Sequence, residues 1–576
     1  MSRLAGWRCA VGHCVLFLGM GLLPVGTSLA DSLLVNATIH GVEGAKKPAE
    51  AMVWSGDGRI IAIGRRSELA KAHPDALVID AEGATVVPGL VDAHGHVLGL
   101  GLSLLNADLS GTVSKAQVLE RLNAHAAKLP PEAWLVGRGW DQNDWETKAF
   151  PTAADLDTAF PDRPVLLYRV DGHAAWANSA AMKRVGKSLD GDWQPDGGRI
   201  IRSDGKATGV FVDTAMGLIE SHLPPQDAAL KRRAYLLAFG ALSAAGITGV
   251  HDAGVSREDM EVLKELADSG QITLRIYAMA EGNGPALDQL CTEGLYSHRA
   301  GRLSMRAVKL YIDGALGSRG AALKADYSDD AGNRGLLVTE PAAFKVAVEK
   351  AKRCGVQVAT HAIGDRGNQL VLDTYADVLG EDAKGDHRWR IEHAQVVDTA
   401  DIPKFAALNV IASMQPTHAT SDMPWAEARV GKGRLAGAYA WQRFREAKVK
   451  LAFGSDFPVE KISPLLGLYA AVTRQDLDGK PGGGWLPDQK LTPAQALEAF
   501  TQSAAYAQFA EADQGFFAKG KRADFTVLAK DPLRVPPSEI ADIRVVATYL
   551  DGQPQFGALS MRTPEGTLGP RGKPRK

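Results

Sequence analysis

Eight apolar runs rich in β-branched residues alternate with helical segments through the middle of the chain, and this rhythm constrains the fold most strongly. The runs are VVPGLVDAH, GITGVHDAG, ITLRIYAMA, RAVKLYIDG, VQVATHAIGD, RWRIEHAQVV, NVIASMQPTH and LAFGSDFPVE. Such alternation is typical of parallel strands joined by helical crossovers. Eight parallel strands are the number that closes a (β/α)₈, or TIM, barrel. The sequence therefore predicts an α/β fold with such a barrel over residues 89–494.

Two further units are expected around the barrel. The interval at residues 98–245 is too long for one crossover helix, and we interpret it as an inserted α/β subdomain that covers the barrel mouth. Short alternating segments broken by Gly, Asp and Asn occur near both chain ends, and such segments are typical of strands. We expect residues 31–88 and 495–560 to form one small β-sandwich, followed by a flexible tail at residues 561–576 that is rich in Pro and Gly.

The N-terminus has the order of a secretory signal peptide. Arg3 and Arg8 precede an apolar stretch, and Ser28-Leu29-Ala30 supplies small residues for cleavage after Ala30. The apolar stretch is short for a membrane span and is interrupted by Gly and Pro. We therefore predict residues 1–30 to be a signal peptide, with export to the periplasm and no stable membrane span after cleavage.

The charge of the chain limits its partners. The formal net charge is −2, and the chain has no long basic run before its short C-terminal tail. Such a chain is not suited to nucleic acid or an anionic membrane as its main partner. A small-molecule substrate is the expected partner, and assembly into a homo-oligomer stays open.

Polar side chains stand at the ends of five predicted strands. They are His94, His96, Lys309, His361, His393 and Asp456. His94 and His96 share a strand face, and the active site of a barrel lies at the carboxyl ends of its strands. Each residue alone would be an ordinary polar side chain, but six together are costly to desolvate unless a divalent metal binds them. The mature chain keeps only two cysteines, Cys291 and Cys354, which form at most one disulfide, and it has no CxxC motif, so nitrogen and oxygen must hold the metal.

The motifs around these residues resemble those of a known superfamily. PGLVDAHGH, KLYIDGALGSR, THAIGDRGN, RIEHAQ, SMQPTHATSD and AFGSDFPVE occur in this order. Together they resemble the amidohydrolase superfamily, and within it the amidohydrolase 3 branch, which includes N-substituted formamide deformylase. The resemblance extends over nearly the whole mature chain.

The resemblance implies a hydrolytic centre with one or two divalent metals, for which zinc is the best-suited ion. His94, His96 and Asp456 would hold the more buried metal, and His361 and His393 the second. Lys309 would bridge the two as a carbamate, because an ammonium cannot ligate a cation. If Lys309 is unmodified, one metal on His94, His96, Asp456 and a further histidine is the alternative.

The expected reaction is hydrolysis of non-peptide C–N bonds in amides, formamides or other N-acyl compounds by metal-activated hydroxide. Asp456 would act as the catalytic base that takes the water proton and passes it to the leaving amine. The same centre acting on lactones, carbamates or cyclic imides, or as a deaminase, is the alternative, because a fold does not fix a substrate. A non-catalytic binding protein is a third hypothesis, disfavoured because no expected ligand is missing.

Further polar residues are candidates for substrate contact. His173, Arg319 and His418 are the main candidates, and Trp140 and Asp141 are weaker ones. Each has a structural alternative, such as a loop ion pair for Arg319 and subdomain core for Trp140. His251 ends the second predicted strand, but the resemblance assigns it no metal role.

Overall fold

The computed structural model describes residues 30–562. The predicted signal peptide, apart from Ala30, and the tail from residue 563 lie outside the described residues. The first described elements belong to the sandwich: β1 (Ser32–Val35), β2 (Thr38–Ile39), β3 (Ala51–Trp54), β4 (Ile60–Gly64), α1 (Arg66–Ala72), β5 (Leu77–Asp80) and β6 (Thr85–Pro88).

The first barrel strand and its helix precede an inserted sheet. The elements are β7 (Leu90–Gly95), α2 (Val97–Leu105), β8 (Ala107–Asp108), α3 (Lys115–Ala126), β9 (Leu135–Trp140), α4 (Ala153–Asp157), β10 (Val165–Arg169), β11 (Ala174–Ala177), α5 (Ser179–Lys183), β12 (Gly198–Ser203), β13 (Lys206–Asp213) and α6 (Gly217–Glu220). Strands β8–β13 form one sheet in the order β12-β13-β11-β10-β9-β8.

The rest of the barrel follows. Its elements are α7 (Ala228–Ala244), β14 (Ile247–Val255), α8 (Arg257–Asp268), β15 (Arg275–Glu281), α9 (Pro285–Glu293), β16 (Tyr296–Ser297), β17 (Leu303–Tyr311), α10 (Pro341–Arg353), β18 (Gln357–Ala362), α11 (Asp365–Leu379), β19 (Arg390–His393), α12 (Ile402–Ala407), β20 (Ile411–Met414), α13 (Pro416–Asp422), α14 (Ala426–Arg434), α15 (Trp441–Glu446), β21 (Leu451–Phe453) and α16 (Pro464–Thr473). Cys291 and Cys354 form a disulfide between the α9 region and the end of α10.

Two more helices, α17 (Pro493–Ala499) and α18 (Gln502–Ala507), pack on the barrel through residues such as Leu497 and Ala504, so the barrel extends past the boundary expected at residue 494. The chain then returns to the sandwich with β22 (Phe525–Leu528), β23 (Val545–Leu550), β24 (Gln553–Phe556) and β25 (Ser560–Arg562). Two five-stranded sheets, β25-β5-β1-β3-β4 and β2-β6-β22-β23-β24, share one buried core that includes Trp54, Ile79 and Phe525. The sheet extends through Arg562, two residues past the boundary expected at residue 560.

The predicted (β/α)₈ barrel is confirmed. Strands β7, β14, β15, β17, β18, β19, β20 and β21 pair in parallel in that order. A parallel bridge between Gly95 and Phe457 brings the two ends of the sheet together. Within residues 30–562, no helix combines the length and apolarity needed to cross a bilayer.

One predicted strand is divided between two units. In VVPGLVDAH, the residues before Gly89 belong to β6 and pair with β22 of the sandwich, whereas β7 starts the barrel at Leu90. A Cβ on Gly89 would stand 2.2 Å from Oγ1 of Thr248, so only glycine permits this close crossing.

The inserted subdomain also spans fewer residues than the predicted interval of 98–245. Helices α2 and α7 lie inside that interval, but their apolar faces pack into the barrel core through Leu100, Tyr235 and Phe239. The sheet from β8 to β13 is therefore inserted between two helices that belong to the barrel.

Candidate metal centre

Barrel closure positions the first group of site residues. The backbone N–H of His96 donates to the carbonyl of Phe457 at 2.9 Å, and that of Asp456 donates to the carbonyl of His94 at 2.7 Å. Nε2 of His96 then lies 3.1 Å from Oδ1 of Asp456, and Nε2 of His94 lies 3.5 Å from it. The ligand atoms of these three side chains lie within 4.8 Å of one another, which is close enough to share one metal ion.

Gly95 has a steric role between the two histidines. A Cβ at this position would stand 2.4 Å from the ring of Phe457, which packs against the backbone where the barrel closes. A larger residue would push the two ends of the sheet apart.

His361 and His393 stand beside this group. Ladder pairing sets His361 opposite Tyr311 and His393 opposite Ala362. The ring centroid of His393 lies 4.8 Å from that of His94 and 4.6 Å from that of His361. Nδ1 of His393 lies 2.8 Å from Oε1 of Gln415, so the carbonyl oxygen fixes the ring and leaves Nε2 free.

Lys309 is buried against an imidazole. Its side chain is on β17, its exposed fraction is 1%, and Nζ lies 3.0 Å from Nε2 of His94. Burial lowers the pKa of Lys309 to about 8. The amine is therefore easier to deprotonate than an ordinary lysine, which carbamate formation requires.

A charged network behind His94 was missed in the sequence. The carboxylate of Glu392 contacts Nδ1 of His94, and Arg390 contacts the same carboxylate and donates to Oγ of Ser413 at 2.7 Å. Burial alone would raise the pKa of Glu392, but Arg390 and His94 hold it well below its usual range. The ionised carboxylate therefore accepts a hydrogen bond from the Nδ1–H of His94, which leaves Nε2 as the atom that can bind a metal. The available signal was the charged pair at i and i+2 in RWRIEHAQ.

The donor set fits a divalent metal. Oδ1 of Asp456 is buried and accepts no hydrogen bond in the described residues, although two imidazole Nε2 atoms face it. Burial opposes ionisation, but His418 and His96 hold the pKa of Asp456 well below its usual range. Burial lowers the pKa of His94 to about 4, so its ring is neutral near pH 7. A neutral imidazole and an ionised carboxylate are ligands that zinc and similar metals prefer.

The predicted substrate residues have different positions. Nδ1 of His173 lies 2.6 Å from Oδ1 of Asp213, and its ring centroid lies 5.1 Å from that of His361. His418 lies between Asp456 and Glu460, with nitrogen–oxygen distances of 3.4 Å and 3.1 Å. Burial opposes protonation of His418, but the two carboxylates raise its pKa to about 10.

Arg319 and Trp140 have structural roles, which were the alternatives to substrate contact. Arg319 forms a loop ion pair with Asp329 at 3.0 Å and lines neither of the two cavities at the site. Trp140 is fully buried in the inserted subdomain, and its Nε1–H donates to the carbonyl of Leu167 at 2.8 Å. Asp141 pairs with the buried Arg169.

Two cavities meet at this centre. The larger, of about 870 Å³, extends from Lys309 and His361 towards apolar residues such as Leu102 and Trp134. The smaller, of about 150 Å³, is lined by polar residues that include His418. A substrate whose scissile bond lies at the histidines would therefore have a wide, mainly apolar cavity on one side and a narrow, polar cavity on the other.

A parallel eight-stranded barrel that gathers imidazoles, a carboxylate and a buried amine at its strand ends defines the class of metal-dependent hydrolases. Within that class, the chain belongs to the amidohydrolase family, whose amidohydrolase 3 model matches residues 77–556. This confirms the resemblance drawn from the motifs.

Individual relatives cover most of the chain. A protein named as an amidohydrolase, YtcJ of Bacillus subtilis (strain 168), is 33% identical over 87% of this chain and 95% of its own length. N-substituted formamide deformylase of Arthrobacter pascens is 28% identical over 91% of this chain and 98% of its own. A crystal structure of an uncharacterized metal-dependent hydrolase from Pyrococcus horikoshii OT3 has a TM-score of 0.71 and 28% identity, covering 88% of this chain and 99% of that one.

Proposed function

We propose that this metal-dependent hydrolase cleaves C–N bonds of non-peptide amides, N-substituted formamides included. The observation that carries the proposal is the convergence of His94, His96 and Asp456 on one point beside the buried amine of Lys309. The relative named N-substituted formamide deformylase supports amides and formamides as the substrate class.

His94, His96 and Asp456 would hold a first divalent metal, with zinc the best-suited ion, and His361 and His393 a second. Lys309 would bridge the two as a carbamate formed with carbon dioxide. If Lys309 stays an amine, a single metal with His393 as fourth ligand is the alternative, since His393 is also near Asp456. A bound metal lowers the pKa of coordinated water and polarises a carbonyl oxygen.

The protein's own groups would handle the protons and orient the substrate. Asp456, ionised at neutral pH, would accept the proton of the attacking water and pass it to the departing amine. His173, whose Nδ1 faces Asp213, lines both cavities and would donate a hydrogen bond from Nε2 to the substrate oxygen. The protonated His418 would hold the carboxylate of Asp456 in place through Nε2.

Export to the periplasm is part of the proposal. Its support is the order of charged, apolar and small residues in the first thirty positions. The disulfide between Cys291 and Cys354 also suits an oxidising compartment.

Residues 31–576, purified with metal, should hydrolyse N-benzylformamide faster than a lactone or carbamate of similar size. Asp456→Asn should lower kcat by about 10²–10⁴-fold, the usual contribution of a proton-transfer group, with a smaller effect on KM. Rates are to be compared at equal metal content, measured by elemental analysis. Wild-type turnover in a fully metallated Asp456→Asn protein would contradict the role of Asp456. Faster cleavage of the lactone or carbamate would shift the substrate class, and a metallated protein with no activity on any of them would favour a binding role.

A further inference from the structure

Arg138 stands in the wall of the larger cavity. It lies on β9 of the inserted sheet, and its guanidinium lies over Gly172, where a Cβ would be 3.1 Å from Nη2. The next residue after Gly172 is His173, whose ring is near His361. The guanidinium therefore lines the same cavity as His173 and the proposed ligand His361.

The hydrogen bonding of Arg138 is incomplete. Nη2 donates to the carbonyl of Val170 at 3.0 Å, whereas Nε is buried and has no partner in the described residues. Within the described part of the chain, Arg138 forms no ion pair within 4.0 Å. Burial lowers the pKa of Arg138, and the more distant charges of Asp456 and Asp171 offset only part of that effect. A cation without a partner in such a place carries an uncompensated desolvation cost.

A nearby arginine shows what a saturated guanidinium looks like in this subdomain. Arg169 pairs with Asp141 and contacts Asp171, and its Nε donates to the side chain of Gln142 at 2.9 Å. Arg169 therefore serves the structure, and Arg138 differs from it in having donors left over.

Three carboxylates of the cavity wall have partners other than Arg138. Asp171 contacts Arg169, Asp213 lies 2.6 Å from the ring of His173, and Asp259 pairs with Lys231 at 2.5 Å. None of these three forms a close ion pair with Arg138.

We propose that Arg138 binds a carboxylate of the substrate, so that the preferred substrates are N-acyl compounds that carry a carboxylate close to the scissile bond. This inference rests on the proposed amide hydrolysis. A guanidinium presents paired N–H donors that match the two oxygens of a carboxylate. The substrate would then complete the hydrogen bonds that the fold leaves open.

The first test measures binding without turnover. The metal-loaded protein is titrated calorimetrically with 3-phenylpropionate and with 3-phenylpropan-1-ol, which differ in the carboxylate. Wild type should bind the carboxylate roughly tenfold to hundredfold more tightly, as expected for hydrogen bonds between charged groups. Arg138→Gln should bring the two affinities level, and Arg138→Lys should give an intermediate preference.

Arg199→Gln is the matched control, because Arg199 is an exposed arginine of the same sheet. It should keep the wild-type preference. Equal affinities in wild type, or a preference that persists in Arg138→Gln because the carboxylate binds the metal directly, would overturn the proposal. Equal affinities in wild type overturn the proposal without any variant. If Arg138→Gln does not fold, Arg138→Lys gives the comparison, and an undiminished preference in it would overturn the proposal.

The second test separates this inference from the proposed function. Wild-type kcat/KM should favour N-formylphenylalanine over N-(2-phenylethyl)formamide, and Arg138→Gln should remove the preference mainly through KM. If neither compound is cleaved but binding depends on Arg138, the proposed amide hydrolysis fails and the anion site stands. If both are cleaved without preference, the function stands and the anion site is overturned.

Discussion

At the scale of single residues, the proposed metal ligands are oriented by hydrogen-bonding side chains that do not themselves face the metal site. Glu392 orients His94, and Gln415 orients His393. His393 and Asp456 have backbone φ angles of 73° and 61°, in the left-handed region that non-glycine residues rarely adopt. Two of the proposed ligands are thus kept in unfavourable backbone conformations, as is common where a site fixes its side chains precisely.

Replacing Lys309 tests the two-metal arrangement. With bicarbonate supplied, wild type should carry about two metal equivalents, and Lys309→Ala one or fewer, because the bridge between the two sites is lost. Elemental analysis of both proteins gives the answer. About one equivalent in each would instead indicate a single-metal centre with a structural lysine.

Replacing Glu392 tests the network behind His94. Glu392→Gln should weaken metal binding by about 10–100-fold, because the neutral amide no longer polarises the imidazole. The measurement is the metal dissociation constant. Glu392→Gln leaves the buried Arg390 without its carboxylate partner. Adding Arg390→Met removes that unpaired charge, so the double variant should recover stability while metal affinity stays low. Recovery of metal affinity as well would assign Glu392 a merely structural role.

At the scale of elements, the inserted sheet depends on two tightly packed barrel helices. Gly101 of α2 faces α7, and a Cβ there would stand 2.0 Å from the carbonyl oxygen of Ala234. The neighbouring side chains of Leu100 and Tyr235 are buried in the same core. The close approach of the helices holds the two ends of the insertion together at the barrel.

Gly101→Ala should therefore destabilise the protein by about 1–3 kcal/mol, since the methyl group must displace backbone. Gly240→Ala is the control, because a Cβ at Gly240 of α7 would meet no heavy atom within 4 Å. That change should stabilise by about 0.5–1 kcal/mol through helix propensity. Urea unfolding of both variants checks the opposite signs, and a neutral Gly101→Ala would refute the tight packing.

At the scale of the whole molecule, the sandwich and the insertion sit at opposite ends of the barrel. Arg275 opens β15 and binds Asp524 at 2.6 Å and Asp551 at 2.5 Å, both from the sandwich. Oγ1 of Thr526 donates to the carbonyl of Gly246, just before β14. The sandwich thus docks at the amino ends of the strands, and the centre and insertion are at the carboxyl ends.

This docking interface should make the free energy of unfolding depend on pH. Burial by itself would raise the pKa of Asp551, but Arg275 and neighbouring arginines lower it below its usual value. A carboxylate whose pKa is lower in the folded state stabilises it above the unfolded pKa of about 4, and this contribution is lost as pH falls below that value. Asp551→Asn should lower stability at pH 7 and flatten the loss between pH 5 and 3.

Urea midpoints measured across that range test the prediction. Asp478→Asn, at an exposed carboxylate, serves as the control and should leave the wild-type profile unchanged. An identical acid profile in Asp551→Asn and wild type would show that the interface does not depend on this charge.

The sequence by itself determined the barrel and the members of the candidate centre. Strand number follows from the periodicity of apolar runs, and parallel strands carry their last residues to one face, so His94, Lys309, His361, His393 and Asp456 could be grouped before any contact was known. The tertiary structure decided which side chains stand behind and beside them. Strand register and helix packing decide these contacts. They bring Glu392 to His94, place α2 and α7 in the barrel and leave donors of Arg138 without partners. Such contacts join residues up to several hundred positions apart, and local periodicity carries no information about them.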